Sequence, residues 1–344
     1  MTARWRGPEG APQVLAFPAD RAMKAVAKVT TRTNIDRLGQ QAAGHPDEVR
    51  EVYERILADA AVGHRYIETS SGRRVHLIEA GEGQPVVLLH GGGTSSLSHL
   101  PFLAHLEGVT AINVDRPGFG LSEPVHIPRE HYRDGAIEFI DEVLDALGLE
   151  STALAGASGG GLWALWYALA RPERVRRLVL LTGTPLLPGT RIPAALRLMV
   201  TPLVGDLLAR VKPSPKMVTR FMAAMGEKDT IVHHPELIES LVAAGRDPIA
   251  SAAALDEYRA LLSPLGFRSS MRVQPDDLRS LTAPTLVIWG DRDPTGTAEV
   301  ALRATSLIPN ARLEMLPAGH VPWLGHAERV AELLSRFVRS DGEG

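Results

Sequence analysis

Cysteine is absent from all 344 residues, which removes a disulfide scaffold, a thiolate zinc site, a cysteine nucleophile and thiol redox chemistry together. An excess of either charge is missing too. With 37 basic against 40 acidic residues and a formal net charge of -3, the chain has no global field for gripping a polyphosphate, so nucleic acid is not an expected partner. No apolar run approaches the roughly 18–20 uninterrupted residues that a membrane span needs. Residues 1–24 lack the apolar stretch of a secretory signal, because Pro8, Glu9, Pro12, Pro18 and Asp20 interrupt it. The expectation is a cytoplasmic protein with no membrane span. Nothing here marks a cofactor or a metal site: the adjacent His233 and His234 point in different directions on either a helix or a strand, so none is expected.

What is present is a large apolar fraction, 44%, enough for a sizeable core. Between Asp47 and Ala60 the apolar residues Val49, Val52, Tyr53, Ile56, Leu57 and Ala60 recur at helical spacing, which predicts an amphipathic helix closing a mainly helical extension over residues 1–60. Such a helix has too much apolar surface to hang free, so it is expected to pack on the core, on the insertion described below or on a second subunit in a homodimer. A hairpin with a glycine turn at Ser70-Ser71-Gly72 follows. Buried-type strands at 85–89, 109–114, 152–157, 175–181, 284–289 and 311–316 then alternate with helical segments, the pattern of a mostly parallel twisted sheet covered by helices on both faces. The alternation stops between 185 and 274, where no strand is evident and helix-like stretches lie near 191–210, 216–226, 235–245 and 249–262. The reading is an α/β core of 61–184 and 275–344, carrying a helical cap of 185–274.

Chemistry concentrates at the strand ends. The strand Thr152–Ala157 runs into Gly156-Ala157-Ser158-Gly159-Gly160, a G-x-S-x-G pattern with a helix directly behind it, as the sharp turn of a nucleophile elbow requires. A serine hydroxyl needs a base and an orienting carboxylate. Both follow at later strand ends, as Gly290-Asp291-Arg292-Asp293 and Ala318-Gly319-His320. The strand 85–89 ends in His90-Gly91-Gly92-Gly93, whose backbone can aim amides at a developing oxyanion together with that of Gly159. Asp115-Arg116-Pro117-Gly118 forms a further turn at the same edge, where open α/β sheets place their ligands. His90 reads as structural, and Asp115 and Arg116 as bracing their loop by bonding to each other or to nearby backbone.

Through HGGG, DRPGFGLS, GASGGG, WGDRD and AGH in this order, the chain resembles cap-containing serine hydrolases of the α/β-hydrolase fold superfamily. The resemblance implies Ser158 as nucleophile, His320 as base, Asp293 as acid, the amides of Gly92 and Gly159 as the oxyanion hole, and the insertion as a lid. Asp293 fits the family spacing of glycine, two residues, acid. The continuation Pro294-Thr295-Gly296-Thr297 lacks the family's usual proline, however, which leaves Asp291 as the alternative acid. Gly93, Trp163 and Trp323 are candidate pocket residues, with core packing the competing reading for Trp163; Tyr132 and Tyr258 are possible reaches from loop and lid. Serine at the elbow disfavours epoxide and haloalkane chemistry, which uses aspartate there. The expected reaction is cleavage of an ester or lactone of a moderately hydrophobic small molecule through an acyl-enzyme. The alternatives are hydrolysis of a carbon-carbon bond in a diketone, or ligand binding without catalysis on the same scaffold.

Overall fold

The strand residues Val86 and Leu88 point to one side of their strand and Val87 and Leu89 to the other, and all four are fully buried. A strand with two apolar faces needs cover on both, and the fold supplies it. The computed structural model describes residues 44–60, 62–208 and 210–340; the expectation for residues 1–43 lies outside them.

The described chain begins with helix α1 (Asp47–Ala60) and the strands β1 (Gly63–Glu68) and β2 (Arg74–Ala80), followed by β3 (Gln84–Leu89), the single-turn helix α2 (Leu100–Leu103) and β4 (Val109–Val114). Next come α3 (Tyr132–Ala146), β5 (Thr152–Ala157), α4 (Gly159–Ala170) and β6 (Val175–Leu181). After β6 the chain leaves the sheet for α5 (Ala194–Met199), α6 (Val204–Leu208), α7 (Pro215–Ala224), α8 (Pro235–Arg246) and α9 (Pro248–Leu261), then a minimal hairpin of β7 (Leu262–Ser263) and β8 (Gly266–Phe267). It returns through α10 (Pro275–Ser280), β9 (Thr285–Gly290), α11 (Ala298–Ser306), β10 (Ala311–Leu316) and α12 (Ala327–Arg339).

Eight strands form one sheet in the order β1-β2-β4-β3-β5-β6-β9-β10. The β1–β2 and β2–β4 pairs are antiparallel and every later pair is parallel. The C-terminal ends of β3, β4, β5, β6, β9 and β10 therefore lie along one edge. On one face α3 and α4 cover the sheet, with Trp163, Trp166, Tyr167 and Phe139 filling the space. On the other, α1 and α12 do so through Tyr53, Ile56, Leu57, Val330 and Leu334.

Two expectations need correction in the cap. The stretch near 191–210 is broken into α5 and α6, because Pro202 cannot continue a helix and Leu203 takes a positive φ of 65°. A strand pair also exists there, but β7 and β8 are two residues each and carry no readable periodicity.

Helix α1 has a precise seat. The Tyr53 hydroxyl donates to the buried Asp115 carboxylate (2.6 Å to Oδ2, 2.8 Å to Oδ1) and pairs with Ser96 Oγ at 2.7 Å. His76 Nδ1 (2.8 Å) and the amides of Ser96 (2.8 Å) and Leu121 (3.1 Å) complete the shell of Asp115. Burial opposes the charge, yet His76 and Tyr53 outweigh it and hold the carboxyl down at about 2. On its outer side α1 meets the cap through Arg55–Glu239 (2.5 Å) and Glu48–Arg246 (3.5 Å), and His45 just ahead of it bonds to Asp247.

Candidate active site

Strand β5 delivers Ser158 into the turn before α4 at φ 49° and ψ -115°, a conformation that side chains larger than glycine rarely adopt. The neighbouring glycines make the turn possible by close approach. A Cβ on Gly160 would lie 2.2 Å from the Leu89 carbonyl oxygen, and one on Gly156 would lie 2.3 Å from that of Gly160, so neither position has room for a side chain. Ser158 stays accessible and lines a cavity of about 170 Å³ between the sheet edge and the cap.

His320 lines the same cavity, and behind it stands Asp293. His320 Nδ1–H donates to Asp293 Oδ2 at 2.8 Å, leaving Nε2 with no protein hydrogen bond among the described residues. The Asp293 carboxylate is buried and saturated with donors: the Gly183 amide at 3.1 Å and the Thr182 hydroxyl at 3.2 Å on Oδ2, the Thr295 amide at 2.8 Å and hydroxyl at 2.7 Å on Oδ1. Burial pushes its pKa up, but His320 and Thr295 pull it further down. Burial likewise presses the His320 pKa down; Asp293 and Glu227 prevail and raise it above 6.5. The Asp291 side chain is exposed, and among the described residues its one ion-pair partner is Arg292, at 3.6 Å. The Thr-Gly-Thr continuation thus caps Asp293 itself, with the Trp289 indole holding the Gly296 carbonyl at 3.0 Å.

The cap grips the His320 loop directly. The His320 amide donates to the Met225 carbonyl at 2.8 Å, and the Val321 amide to the buried Glu227 carboxylate at 2.8 Å. On the opposite side, Gly92 and Gly159 both line the cavity. His90 secures their loop: Nδ1–H donates to the Gly91 carbonyl (2.8 Å), and Nε2 accepts from the Arg116 amide (2.9 Å). Burial and the Arg116 charge depress its pKa to about 3, so His90 is a neutral tether.

Asp115 takes the backbone bonds expected of it, from the Ser96 and Leu121 amides, but Asp115 and Arg116 do not pair with each other. Asp115 faces α1, whereas Arg116 reaches Glu257 of cap helix α9 in a bidentate bridge, Nη1–Oε1 and Nη2–Oε2 each 3.0 Å. Both side chains are buried, at 0% and 3% exposure. The guanidinium lies 4.9 Å from the Trp163 ring centroid and 5.1 Å from that of Phe119. Trp163 is therefore a core residue beneath Arg116 and does not line the cavity, which corrects its pocket assignment. Gly93 does not line it either, because the Tyr258 hydroxyl closes over it, 3.0 Å from where its Cβ would stand. Trp323 does line it, with its indole N–H on the Ser98 carbonyl at 2.6 Å. Tyr258 reaches the site from α9, while Tyr132 stays in the core against Trp163.

Glu257 was not anticipated. The available signal was a charge on the buried helical repeat of α9, in step with Ala250, Ala260 and Leu261. Thr182 and Thr295 were missed as well, being hydroxyls without any motif.

A parallel sheet whose elbow serine and histidine-carboxylate pair meet one cavity defines a class, and the sequence agrees: residues 84–327 match the alpha/beta hydrolase fold family. The chain belongs to that family. Among named relatives, it is 30% identical to a 2-hydroxy-6-oxononadienedioate/2-hydroxy-6-oxononatrienedioate hydrolase of Cupriavidus pinatubonensis, over 77% of this chain and 90% of that protein. It is 27% identical to a pimeloyl-[acyl-carrier protein] methyl ester esterase of Shewanella oneidensis, over 77% and 95%. Of solved structures, the meta-cleavage product hydrolase CumD from Pseudomonas fluorescens IP01 aligns with a TM-score of 0.63 at 25% identity, covering 80% of this chain and 97% of that one. Carboxylesterase CesB (YbfK) from Bacillus subtilis aligns at 0.67 with 24% identity, covering 86% and 98%. The chain is thus a hydrolase by family, and its named relatives include both carbon-carbon hydrolases and esterases. Among the described residues no helix is long and apolar enough to cross a membrane.

Proposed function

We propose that the protein is a serine hydrolase that cleaves an ester or lactone of a moderately hydrophobic small molecule. The observation that carries the reading is the opening of an accessible, positive-φ Ser158 and a carboxylate-anchored His320 into one largely apolar cavity, lined by Leu196, Phe221, Met222, Met225 and Leu241. Ser158 Oγ attacks the carbonyl carbon while His320 Nε2 takes its proton, and Asp293 holds Nδ1–H and offsets the imidazolium charge. The amides of Gly92 and Gly159 receive the oxyanion. Collapse breaks the bond to the alcohol oxygen, which leaves with the proton from Nε2. Water then repeats the sequence on the acyl-enzyme and restores Ser158.

The carbon-carbon reading has the Cupriavidus relative's name behind it. The ester reading is preferred because a buried carboxylate, Glu257, faces the cavity beside the two glycines, an unfavourable neighbour for an anionic substrate such as a dioate. A fluorophosphonate probe with peptide mapping, followed by turnover of p-nitrophenyl butyrate, a γ-lactone and a 2-hydroxy-6-oxo-dienoate, tests the proposal. Labelling at Ser158 with turnover of the ester or lactone is expected. An unlabelled Ser158 removes the serine mechanism, and turnover of the dienoate alone removes the ester reading.

A further inference from the structure

We propose that Glu257 forms a hydrogen-bond-accepting subsite beside the oxyanion hole, for an acyl group bearing a donor, hydroxyl or ammonium, on the carbon next to the scissile carbonyl. The same carboxylate turns away acyl groups with a carboxylate at that carbon. The inference rests on the serine hydrolase reading above and names the acyl class that reading leaves open.

The carboxylate lies directly on the two glycines. Glu257 Oε1 is 2.5 Å from where a Cβ on Gly159 would stand, and Oε2 is 3.0 Å from the equivalent point on Gly92, so the bare Cα atoms are what admit it. A carbonyl oxygen held by those two amides puts the substituents of the adjoining carbon at the edge of the hole, where Glu257 stands.

Glu257 also has capacity to spare. A carboxylate offers about four acceptor positions, and Arg116 fills two; among the described residues no other hydrogen bond reaches it. Glu257 lines the cavity and Arg116 does not, so a bound acyl group meets the carboxylate end of the pair. An alkyl chain placed there leaves the lone pairs dry, whereas a hydroxyl or ammonium satisfies them. The acceptor is fixed in advance, because Arg116 is clamped between Trp163 and Phe119. Arg191, a basic residue that also lines the cavity, is exposed and screened by water, and so offsets Glu257 little.

The placement bears on turnover as well as on binding. Negative charge develops on the carbonyl oxygen next to the Glu257 carboxylate, and a donor on the acyl group that hydrogen-bonds Glu257 offsets part of that repulsion in the transition state, an ammonium more than a hydroxyl. The preference is therefore expected in kcat and not in KM alone.

Four ethyl esters that differ at one carbon test this: ethyl butyrate, ethyl 2-hydroxybutyrate, ethyl 2-aminobutyrate and the monoethyl ester of ethylmalonic acid, followed by pH-stat. On the wild type, the hydroxy or amino ester is expected to exceed ethyl butyrate at least about tenfold in kcat/KM, and the larger of the two identifies the donor; the half-ester is expected to fall about a hundredfold below. In Glu257→Gln both ratios shrink towards one. The double variant Arg116→Gln/Glu257→Gln leaves no uncompensated buried guanidinium and is expected to do the same. Wild-type ratios within about threefold overturn the subsite. So do unchanged ratios in a folded variant whose rates fall together, the mark of a lid latch alone. Equilibrium binding of the same esters to Ser158→Ala separates the two readings: a donor preference without wild-type turnover removes the ester reading and keeps the subsite, while turnover without preference does the reverse.

Discussion

Replacing Asp293 by asparagine changes one atom, and the hydrogen-bond shell around it sets the consequence. Every neighbour of the carboxylate is a donor: His320 Nδ1–H and the Gly183 amide on Oδ2, the Thr295 amide and hydroxyl on Oδ1. An asparagine has one oxygen to offer to these two groups. If the oxygen stays with Thr295, the NH₂ faces His320, which must accept at Nδ1 and carry its proton on Nε2, where no base then remains for Ser158. If the oxygen turns to His320, the NH₂ opposes the Thr295 amide at 2.8 Å while the Thr295 hydroxyl has to turn round to accept, and the negative charge that stabilised the imidazolium is gone in either case. A loss in kcat of about 10³–10⁴ is expected, equivalent to roughly 4–5.5 kcal/mol. Asp291→Asn touches an exposed side chain 3.6 Å from Arg292 and should stay within about twofold of wild type. Steady-state kinetics on the ester of the proposed reaction, with circular dichroism to verify folding, decides it. Asp293→Asn above a tenth of wild-type kcat, or Asp291→Asn as the more damaging change, refutes the assignment.

Because Asp293 and Glu227 raise the His320 pKa against the effect of burial, kcat/KM should fall as pH drops through a value above 6.5, where the base becomes protonated; Glu227→Gln should move this limb to lower pH, and a limb that stays in place would contradict the coupling. Tyr53→Phe deprives the buried Asp115 and Ser96 of a partner and should cost about 1–3 kcal/mol in urea unfolding, with an unchanged midpoint counting against the seat described for α1. Gly160→Ala forces a Cβ to within 2.2 Å of the Leu89 carbonyl and should abolish soluble folded protein or Ser158 labelling; an active, normally stable variant would show that the elbow has slack.

The parallel strands were readable because each is a short apolar run closed by a glycine-rich turn, and β3, β5, β6, β9 and β10 fall within a residue or so of their expected places. Ser158, Asp293 and His320 were readable for the same reason: chemistry at strand ends travels with turn signals. The residues that escaped act across long sequence distances. Glu257 lies 141 residues from Arg116, and nothing local to α9 specifies a partner in the loop after β4. Arg116 itself shows the reverse failure: as the neighbour of Asp115 it invited a local pairing, yet consecutive residues at a strand end point apart, one to α1 and one to α9. Trp163 sits one helical turn from the elbow, and only its long-range packing, against Tyr132, Phe139 and the Arg116 guanidinium, shows that it belongs to the core.

The seat of α1 has a mechanical consequence. The cap leaves the core after β6 and rejoins it before β9, and between those connections it is held by the Arg116–Glu257 bridge and by the His320 loop on Met225 and Glu227. Helix α1 adds a further tether, rooted in the core by Tyr53 on Asp115 and fastened to α8 by Arg55–Glu239 and Glu48–Arg246. Swinging the cap away as one body therefore has to break the α1 ion pairs together with the Glu257 and Glu227 contacts. The least tied part of the cap is α5 and α6, one or two turns long, from which no hydrogen bond or ion pair among the described residues reaches α1 or the Asp115 shell.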